Sequence, residues 1–300
     1  MSLYEEIKSH FTLPNAYEDW KQYRTTLTDY LISQTDTVSL PLSFSSGMGQ
    51  NDFLPTLAIL GAGACNDLDL ERLSSHFSKI TLIDYQTDSM QAALATYHLE
   101  DSPVVECLSD SLNGLTDYDY QKFCEELQFF LREESQMITP ERFEDFALSF
   151  VDAKFQKNRQ VTIPLAPAAY DYIWCFGVHS QLQAMFSYIF HVFEVNLKGQ
   201  LFKESNWTAS AFYHRLKEEN NTFIPRFHDA LLSSAKTAVF LGLEQSRHGE
   251  TDAIEGAFQA IQDIRSRNLS RKESVILWPF CPDRHLTYEM LIMNLSLAAE

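Results

Sequence analysis

Several features are scarce or missing in this 300-residue chain, and each absence excludes a class of protein. The five cysteines are odd in number and never form Cys-x-x-Cys, which argues against a disulfide framework or zinc site and favours a reducing compartment. No run of about 18 apolar residues occurs, and the N-terminus lacks a basic segment followed by an apolar one. We therefore expect a soluble, cytoplasmic protein with no membrane partner and no metal.

Basic residues are also scarce. Lys plus Arg total 23 against 41 Asp plus Glu, so the formal net charge is −18. A field of that sign repels phosphate backbones and anionic lipid, which argues against nucleic acid as a partner. A cationic or neutral small molecule remains open as the substrate, and the oligomeric state is left open. The composition, 45% hydrophobic and 13% aromatic, is typical of a folded globular protein.

Short apolar runs that alternate with helical patterns follow residue 56. An alternation of this kind predicts a mostly parallel, doubly wound α/β sheet with helices on both faces. The seven predicted strands cover about 57–60, 80–84, 104–108, 170–176, 237–244, 274–280 and 285–295. Only Cys281 to Arg284 separate the last two strands, so that pair is expected to be antiparallel. The predicted fold is therefore a seven-stranded sheet with an antiparallel last strand.

Two helical regions stand outside this alternation. Residues 2–35 have a helical pattern that is broken at Leu13-Pro14, and we predict an N-terminal helical cap over residues 1–50. An acidic pair of helices interrupts the α/β domain of residues 51–300, as an insertion at about 112–166. Thr139 is expected to cap the second helix of that pair, with Pro140 at its first position.

A glycine turn follows the first predicted strand. Gly61-Ala62-Gly63 opens the next helical segment, where glycines allow a sharp turn and a close approach of a ligand to the backbone. Asp84 ends the next strand, where an acid accepts the hydrogen bonds of ribose hydroxyls. A tight turn beside an incidental acid is the alternative interpretation.

With these motifs, the chain resembles the class I S-adenosylmethionine-dependent methyltransferases. Residues 57–70 are similar to their first motif, and LIDYQTDSM is similar to their second-strand acid. Asp110 stands where the family meets the adenine, and YDYIWCFGVHSQL resembles the fourth strand and the segment after it. Two positions depart from the pattern, since Ile59 replaces an acid and Cys65 replaces a third glycine.

The resemblance implies S-adenosyl-L-methionine as cofactor, methyl transfer to a small or medium-sized molecule and a set of site residues. The implied cofactor-binding residues are Gly61, Ala62, Gly63, Asn66, Asp67, Asp84, Tyr85, Asp110, Ser111, Phe176 and Gly177. His179 is the candidate general base, because it follows the fourth strand and an unperturbed histidine titrates near pH 6.5. A packing or capping histidine is the alternative.

Other candidate residues have weaker support. Gln181 is expected to orient the substrate, and Trp20 and Tyr23 to cover it, although aromatic residues at helical spacing more often form a core. Arg226 to Asp229 is interpreted as a solvated helix start. The resemblance also implies that helices of the N-terminal cap and the insertion cover the substrate.

Two further functions remain open. An NAD(P)-dependent oxidoreductase could use the same glycines and Asp84, but Asn66 replaces its third fingerprint glycine, and an antiparallel final pair is unusual for that fold. A non-catalytic methyltransferase-like protein that binds a ligand is compatible with the departures at Ile59 and Cys65.

Overall fold

The fold was analysed in a computed structural model that describes residues 2–10, 12–36, 54–133, 138–203 and 206–297. Residues 37–50 of the predicted N-terminal cap lie outside the described residues. Ten helices occur in these ranges: α1 (Leu3–Ser9), α2 (Ala16–Asp19), α3 (Lys21–Asp36), α4 (Leu70–Leu73), α5 (Thr87–Thr96), α6 (Asp117–Glu133), α7 (Pro140–Asn158), α8 (Ala184–Gln200), α9 (Ser210–Ser234) and α10 (Ala257–Ser266).

Seven strands form one sheet in the order β3-β2-β1-β4-β5-β7-β6. Their bounds are β1 (Thr56–Leu60), β2 (Lys79–Asp84), β3 (Val105–Ser109), β4 (Tyr170–Phe176), β5 (Ala235–Arg247), β6 (Arg271–Cys281) and β7 (Leu286–Ser296). The pairs among β1 to β5 are parallel, and β7 is antiparallel to both of its neighbours. The predicted fold class is confirmed, including the antiparallel last strand.

The strand order reverses at β1, which lies between β2 and β4. Leu60, the last residue of β1, is level with Ile83 of β2 and with Cys175 of β4. Because parallel strands end at the same edge, the residues after β1, β2 and β4 meet there. A crevice at such a reversal is where open α/β sheets bind ligands.

Alternate residues of the strands enter two cores. Ile59 and Trp174 pack with Leu27 of α3 on one face, and Leu60 and Leu241 pack with α9 and α10 on the other. Burial on both faces explains why β1, β4 and β5 are continuous apolar runs in the sequence. Each such side chain contributes about 1.5–3 kcal/mol when it is fully buried.

A third core joins the helices of the acidic segment to α8 and α9. Phe123 of α6 and Phe143 of α7 pack against Phe190 and Phe212, all of them inaccessible to solvent. The hydroxyl oxygen of Thr139 accepts a hydrogen bond from the Arg142 amide at 3.3 Å, so the predicted cap of α7 is confirmed. This helical layer adjoins the carboxyl edge of the sheet through α8.

Two predicted helices differ from the structure. The helical segment expected after Gly61-Ala62-Gly63 contains only the single turn α4, and the chain before it is held by the Tyr97 hydroxyl, which hydrogen-bonds to the Cys65 and Leu68 carbonyls at 3.1 and 2.7 Å. The helix expected to begin near Phe227 is the end of the 25-residue α9, which runs through Pro225. The interpretation of 226–229 as a solvated helix start is therefore wrong, since His228 is inaccessible to solvent.

No helix in the described ranges has the length and apolar character that crossing a membrane requires.

Candidate active site

The turn after β1 brings the backbone close to its neighbours. Gly61 and Gly63 have φ angles of +64° and +48°, a region that side chains with a Cβ seldom adopt. The Gly61 amide donates to the Ile83 carbonyl at 2.9 Å. A Cβ on Gly61 would lie 2.5 Å from Cγ2 of Val178, whereas one on Gly63 would meet nothing within 4 Å. Glycine is thus needed at 61 for both space and conformation.

Asp84, at the end of β2, is held by this turn. Its Oδ2 accepts a hydrogen bond from the Gly63 amide at 3.0 Å, and its Oδ1 accepts one from the Gln86 amide at 2.8 Å. Burial raises the pKa of the Asp84 carboxyl, and these amides act against the rise. Each carboxylate oxygen has a second lone pair, so the fixed carboxylate can still accept hydrogen bonds from a ligand.

A cavity of about 260 Å³ opens beside Asp84, and we call it the strand-end cavity. Its lining is Gly61, Asp84, Tyr85, Gln86, Asp110, Ser111, Leu112, Asn113, Tyr120, Phe176, Gly177, Val178, Gln181, Leu182 and Met185. Eight of the residues that the sequence singled out meet here: Gly61, Asp84, Tyr85, Asp110, Ser111, Phe176, Gly177 and Gln181. A few polar groups in a mostly apolar lining are typical of small-molecule sites.

Four implied cofactor residues lie off this lining. Ala62 is buried, and Gly63 contributes its amide to Asp84. The carbonyl of Asn66 accepts a hydrogen bond from Nη1 of Arg24 at 3.1 Å. Burial raises the pKa of the neighbouring Asp67 to about 6. These residues shape the turn behind the cavity, and their contact with a cofactor stays a prediction.

Trp20 and Tyr23 pack against β6 rather than the strand-end cavity. Tyr23 stacks on Trp278 with ring centroids 5.9 Å apart, and Trp20 meets the same ring edge-on at 4.9 Å. Nε1 of Trp20 donates to the Phe280 carbonyl at 3.1 Å. Their contact with a substrate stays a prediction.

The structure places His179 inside the protein, off the lining of the strand-end cavity. Its Nε2 lies 3.0 Å from Nε2 of His228, whose Nδ1 lies 2.7 Å from Oδ2 of Asp263. If both rings are neutral, His228 donates to Asp263 and accepts from His179, so Nδ1 of His179 is an acceptor. Burial lowers the pKa of both histidines, most strongly for His179. This geometry gives no support to the prediction that His179 is the base at the cavity rim.

Sequence reasoning missed Glu244, which lies on β5 beside the end of β4. Only 3% of Glu244 is exposed, and its Oε1 accepts a hydrogen bond from the Ser180 hydroxyl at 2.7 Å. Its Oε2 has no hydrogen-bond partner among the described residues. Burial raises the pKa of the Glu244 carboxyl. A signal was present, because the apolar run TAVFLGL ends in this acid just as ITLI ends in Asp84.

A second cavity, of about 640 Å³, lies on the other side of the α8 N-terminus, and we call it the helix-side cavity. It is lined by Ser180, Gln183, Ala184, Ser187, Tyr188, His191, Glu194, Tyr213, Leu216, Lys217, Asn220, Arg247, Ile254, Glu255 and Tyr288. Residues 176–185 thus divide the two cavities. No group of three or more metal-ligating side chains occurs in the part of the chain that the structure describes.

No protein-family model matches the sequence, and no curated protein matches it. Among solved structures, the chain is similar to a SAM dependent methyltransferase from Aquifex aeolicus, with 12% identity, coverage of 98% of this chain and 99% of that one, and a TM-score of 0.42. It is also similar to the N-methyltransferase NodS from Bradyrhizobium japonicum, with 10% identity, coverage of 93% and 98%, and a TM-score of 0.44.

A third similar structure is the magnesium protoporphyrin IX methyltransferase ChlM from Synechocystis with bound SAM. The identity is 8%, the match covers 95% of this chain and 85% of that one, and the TM-score is 0.43. Similarities at this level carry no argument about activity, which therefore has to be argued from the site.

Proposed function

We propose that this protein is an S-adenosylmethionine-dependent methyltransferase that acts on a small or medium-sized molecule. The observation that carries the proposal is the placement of Asp84, fixed by the Gly63 and Gln86 amides on the lining of the strand-end cavity. A carboxylate held in that way is suited to the two hydroxyl groups of a ribose. Asp110 and Ser111, after β3, supply polar groups further along the same lining.

The residues of the cavity fit an adenosyl cofactor. Gly61 brings the backbone of the first turn to the lining, and the Cβ direction of Gly63 points into open space. Tyr85, Phe176 and Met185 offer apolar surface for a purine ring. When bound, the cofactor would supply a methyl group on a positively charged sulfur. The protein's own task is to fix the nucleoside and to orient the acceptor, since positioning accounts for much of the rate gain in transfer reactions.

Three further features belong to the same proposal. The predicted N-terminal cap of residues 1–50 and the insertion at 112–166 would cover bound substrate, and Asn113 and Tyr120 of that insertion line the strand-end cavity. The formal net charge of −18 favours a cationic or neutral small molecule over nucleic acid. A reducing compartment, the cytoplasm, would keep the five cysteines as thiols.

A nicotinamide-dependent oxidoreductase is the second candidate, because Asp84 and the glycine turn could hold the ribose of NAD as well. Two observations favour the methyltransferase. Asn66 stands in place of the third fingerprint glycine, and β7 enters the sheet antiparallel between β5 and β6, unlike the dinucleotide-binding order 3-2-1-4-5-6.

A thermal-shift comparison with S-adenosylmethionine, S-adenosylhomocysteine and NADH tests the proposal. A ligand at 100 times its dissociation constant adds about 2.7 kcal/mol of stability, which moves the midpoint by several degrees. We expect a shift with the two sulfur nucleosides and none with NADH. A shift with NADH alone contradicts the proposal, and no shift at all favours a non-catalytic protein. Release of S-adenosylhomocysteine with an acceptor then separates an enzyme from a non-catalytic binder.

A further inference from the structure

Glu244 is a buried carboxylate with one side-chain hydrogen-bond donor among the described residues. Ser180 donates to its Oε1, and no Lys, Arg or His side chain of the described ranges pairs with it. Its Oε2 is buried and unpartnered within the same ranges. Burial of a carboxylate oxygen that lacks a donor costs free energy, and a ligand that donates a hydrogen bond or carries a positive charge would offset that cost.

Aromatic side chains lie on the same side of the sheet as this carboxylate. Burial raises the pKa of the Tyr23 and Tyr288 hydroxyls, and the charge of Glu244 adds to both rises. Between them stands Trp278, stacked on Tyr23 and 5.9 Å from the Tyr288 ring centroid. Aromatic faces attract ammonium groups through their quadrupoles, and a carboxylate among rings is the usual composition of a site for alkylated ammonium ions.

The site adjoins the strand-end cavity across one residue without a side chain. Gly177 lines that cavity, and a Cβ on Gly177 would lie 3.6 Å from Oε1 of Glu244 and 3.9 Å from Cη2 of Trp278. Gly177 therefore adjoins both the Glu244 carboxylate and the space assigned to the cofactor.

The structure assigns an amine as the methyl acceptor, and we propose that its nitrogen binds beside Glu244, next to the rings of Trp278 and Tyr288. This inference rests on the proposed methyltransferase function and names the acceptor class and the residue that receives it.

The helix-side cavity has room for the rest of the acceptor. Ser180 and Tyr288 belong to its lining, so the cavity reaches the two residues that adjoin Glu244. Gln183 and Asn220, each about 5% exposed, also line it and have amide oxygens without a partner among the described residues. Those oxygens accept hydrogen bonds, which favours an acceptor that carries hydroxyl or N–H groups.

Glu244 binds the ammonium form of the acceptor and then takes its proton. A protonated amine gives one proton to the carboxylate, which becomes a neutral carboxyl, and the nitrogen regains its lone pair. That lone pair forms the new N–C bond while the C–S bond of the sulfonium breaks and its electron pair stays on sulfur, leaving a neutral thioether and a methylated ammonium. Burial raises the pKa of Glu244, which suits a group that must hold the proton for a time.

The test measures binding of choline, whose quaternary ammonium mimics a fully methylated product, against 3,3-dimethylbutan-1-ol, its uncharged carbon isostere. Calorimetry and tryptophan fluorescence on the full-length protein, with S-adenosylhomocysteine present and absent, give the two affinities. We expect choline to bind at least tenfold more tightly than the isostere, with a change in tryptophan fluorescence.

Two matched variants locate the effect. Glu244→Gln keeps the shape of the side chain and removes its charge, and we expect it to abolish the preference for choline. Glu144→Gln is the control, because Glu144 is also a buried carboxylate beside a tryptophan, but its oxygens accept from Nε1 of Trp207 and the Phe212 amide. Choline binding by that variant should equal that of the wild type.

Every outcome decides between the alternatives. Equal affinity for the two probes, no saturable binding of either, or an unchanged preference in Glu244→Gln overturns the amine site. Binding of S-adenosylhomocysteine measured in the same samples separates this failure from failure of the proposed function. If the nucleoside binds and choline does not, only the acceptor class is wrong; if the nucleoside does not bind, the methyltransferase proposal itself fails.

Discussion

Asp84 at the end of β2 and Glu244 on β5, just past the level at which β4 ends, are acids at the same edge of the sheet, but they are held in different ways. Both oxygens of Asp84 accept hydrogen bonds from backbone amides, which fix the carboxylate before any ligand arrives. Glu244 has one side-chain donor, Ser180, and an oxygen without a partner in the described ranges. A carboxylate that is fixed in advance is suited to binding the nucleoside of the cofactor. A carboxylate with an unpartnered oxygen is suited to taking and releasing a proton.

Substitution of a glycine in the turn after β1 is expected to have the largest effect on stability and on nucleoside binding. Gly61→Ala combines a positive φ, which costs about 1–2 kcal/mol with a Cβ, and a contact with Val178 that requires about 1–3 kcal/mol of repacking. We expect a loss of stability equal to the sum of both costs and weaker S-adenosylhomocysteine binding, because both residues line the strand-end cavity. Chemical denaturation and calorimetry measure the two quantities.

Gly63→Ala is the matched control for that variant. It carries the same positive-φ strain, but its Cβ meets no atom within 4 Å. Its loss of unfolding free energy should be confined to the backbone cost of about 1–2 kcal/mol. Equal losses for the two alanine variants would show that crowding by Val178 is not what fixes this turn.

Asp84→Ala is expected to weaken binding of S-adenosylmethionine tenfold or more, since charge-assisted hydrogen bonds contribute about 1.5–3 kcal/mol. Asp171→Ala is its control. Asp171 lies near the start of β4, at the opposite edge, where it accepts hydrogen bonds from Thr56 and Lys236. The control should lower stability and leave the nucleoside affinity unchanged. If the affinity of Asp84→Ala equals that of the wild type, Asp84 has no part in cofactor binding.

The buried histidines His179 and His228 predict that the folded protein loses stability as the pH falls. Because the folded pKa values of His179 and His228 are lowered, the unfolded chain binds more protons as the pH falls below about 6.5. Stability is therefore full above that pH and is lost as the pH falls towards the folded values. Asp263 and Asp229 oppose this lowering, and Arg267 adds to it.

The measurement is the free energy of unfolding between pH 7.5 and pH 5.5. Each histidine adds a slope of at most about 1.4 kcal/mol per pH unit in this window. The slope of the unfolding free energy against pH should be smaller in the double variant His179→Gln/His228→Gln. It should be unchanged in the single variant His214→Gln, because the side chain of His214 is 71% exposed. Asp67, with a pKa raised to about 6, gives an opposite slope that is common to all three proteins. Equal slopes in the double variant and the wild type would refute the assignment.

The β2 side could be predicted from sequence because its determinants are local. Gly61, Gly63 and Asp84 lie within 24 residues, and the pattern of strand, glycine turn and acid specifies where they meet. The antiparallel β7 followed from short apolar runs and one short connection. Glycine conformation and strand ends are properties that a few adjacent residues determine.

The β5 side depends on contacts between residues far apart in the chain. Ser180 and Glu244 are separated by 64 positions, and Tyr23 approaches Trp278 from the N-terminal helices. His179 looked like a base because it follows β4, but its partner His228 comes from a helix whose start the pattern placed at the wrong residue. Burial of His179 is a result of tertiary packing that spacing alone does not reveal.

The smallest expected effect tests how Ser180 controls Glu244. Burial raises the pKa of the Glu244 carboxyl and the hydroxyl of Ser180 lowers it, so Ser180→Ala should raise the pKa of Glu244 further. Carbon-13 NMR titration of the labelled carboxyl measures the change directly. Ser187→Ala, which changes another serine of the helix-side cavity, should leave that titration alone. An unchanged pKa in Ser180→Ala would mean that the Ser180 hydroxyl does not hold the Glu244 carboxyl, and the assigned hydrogen bond between them would be wrong.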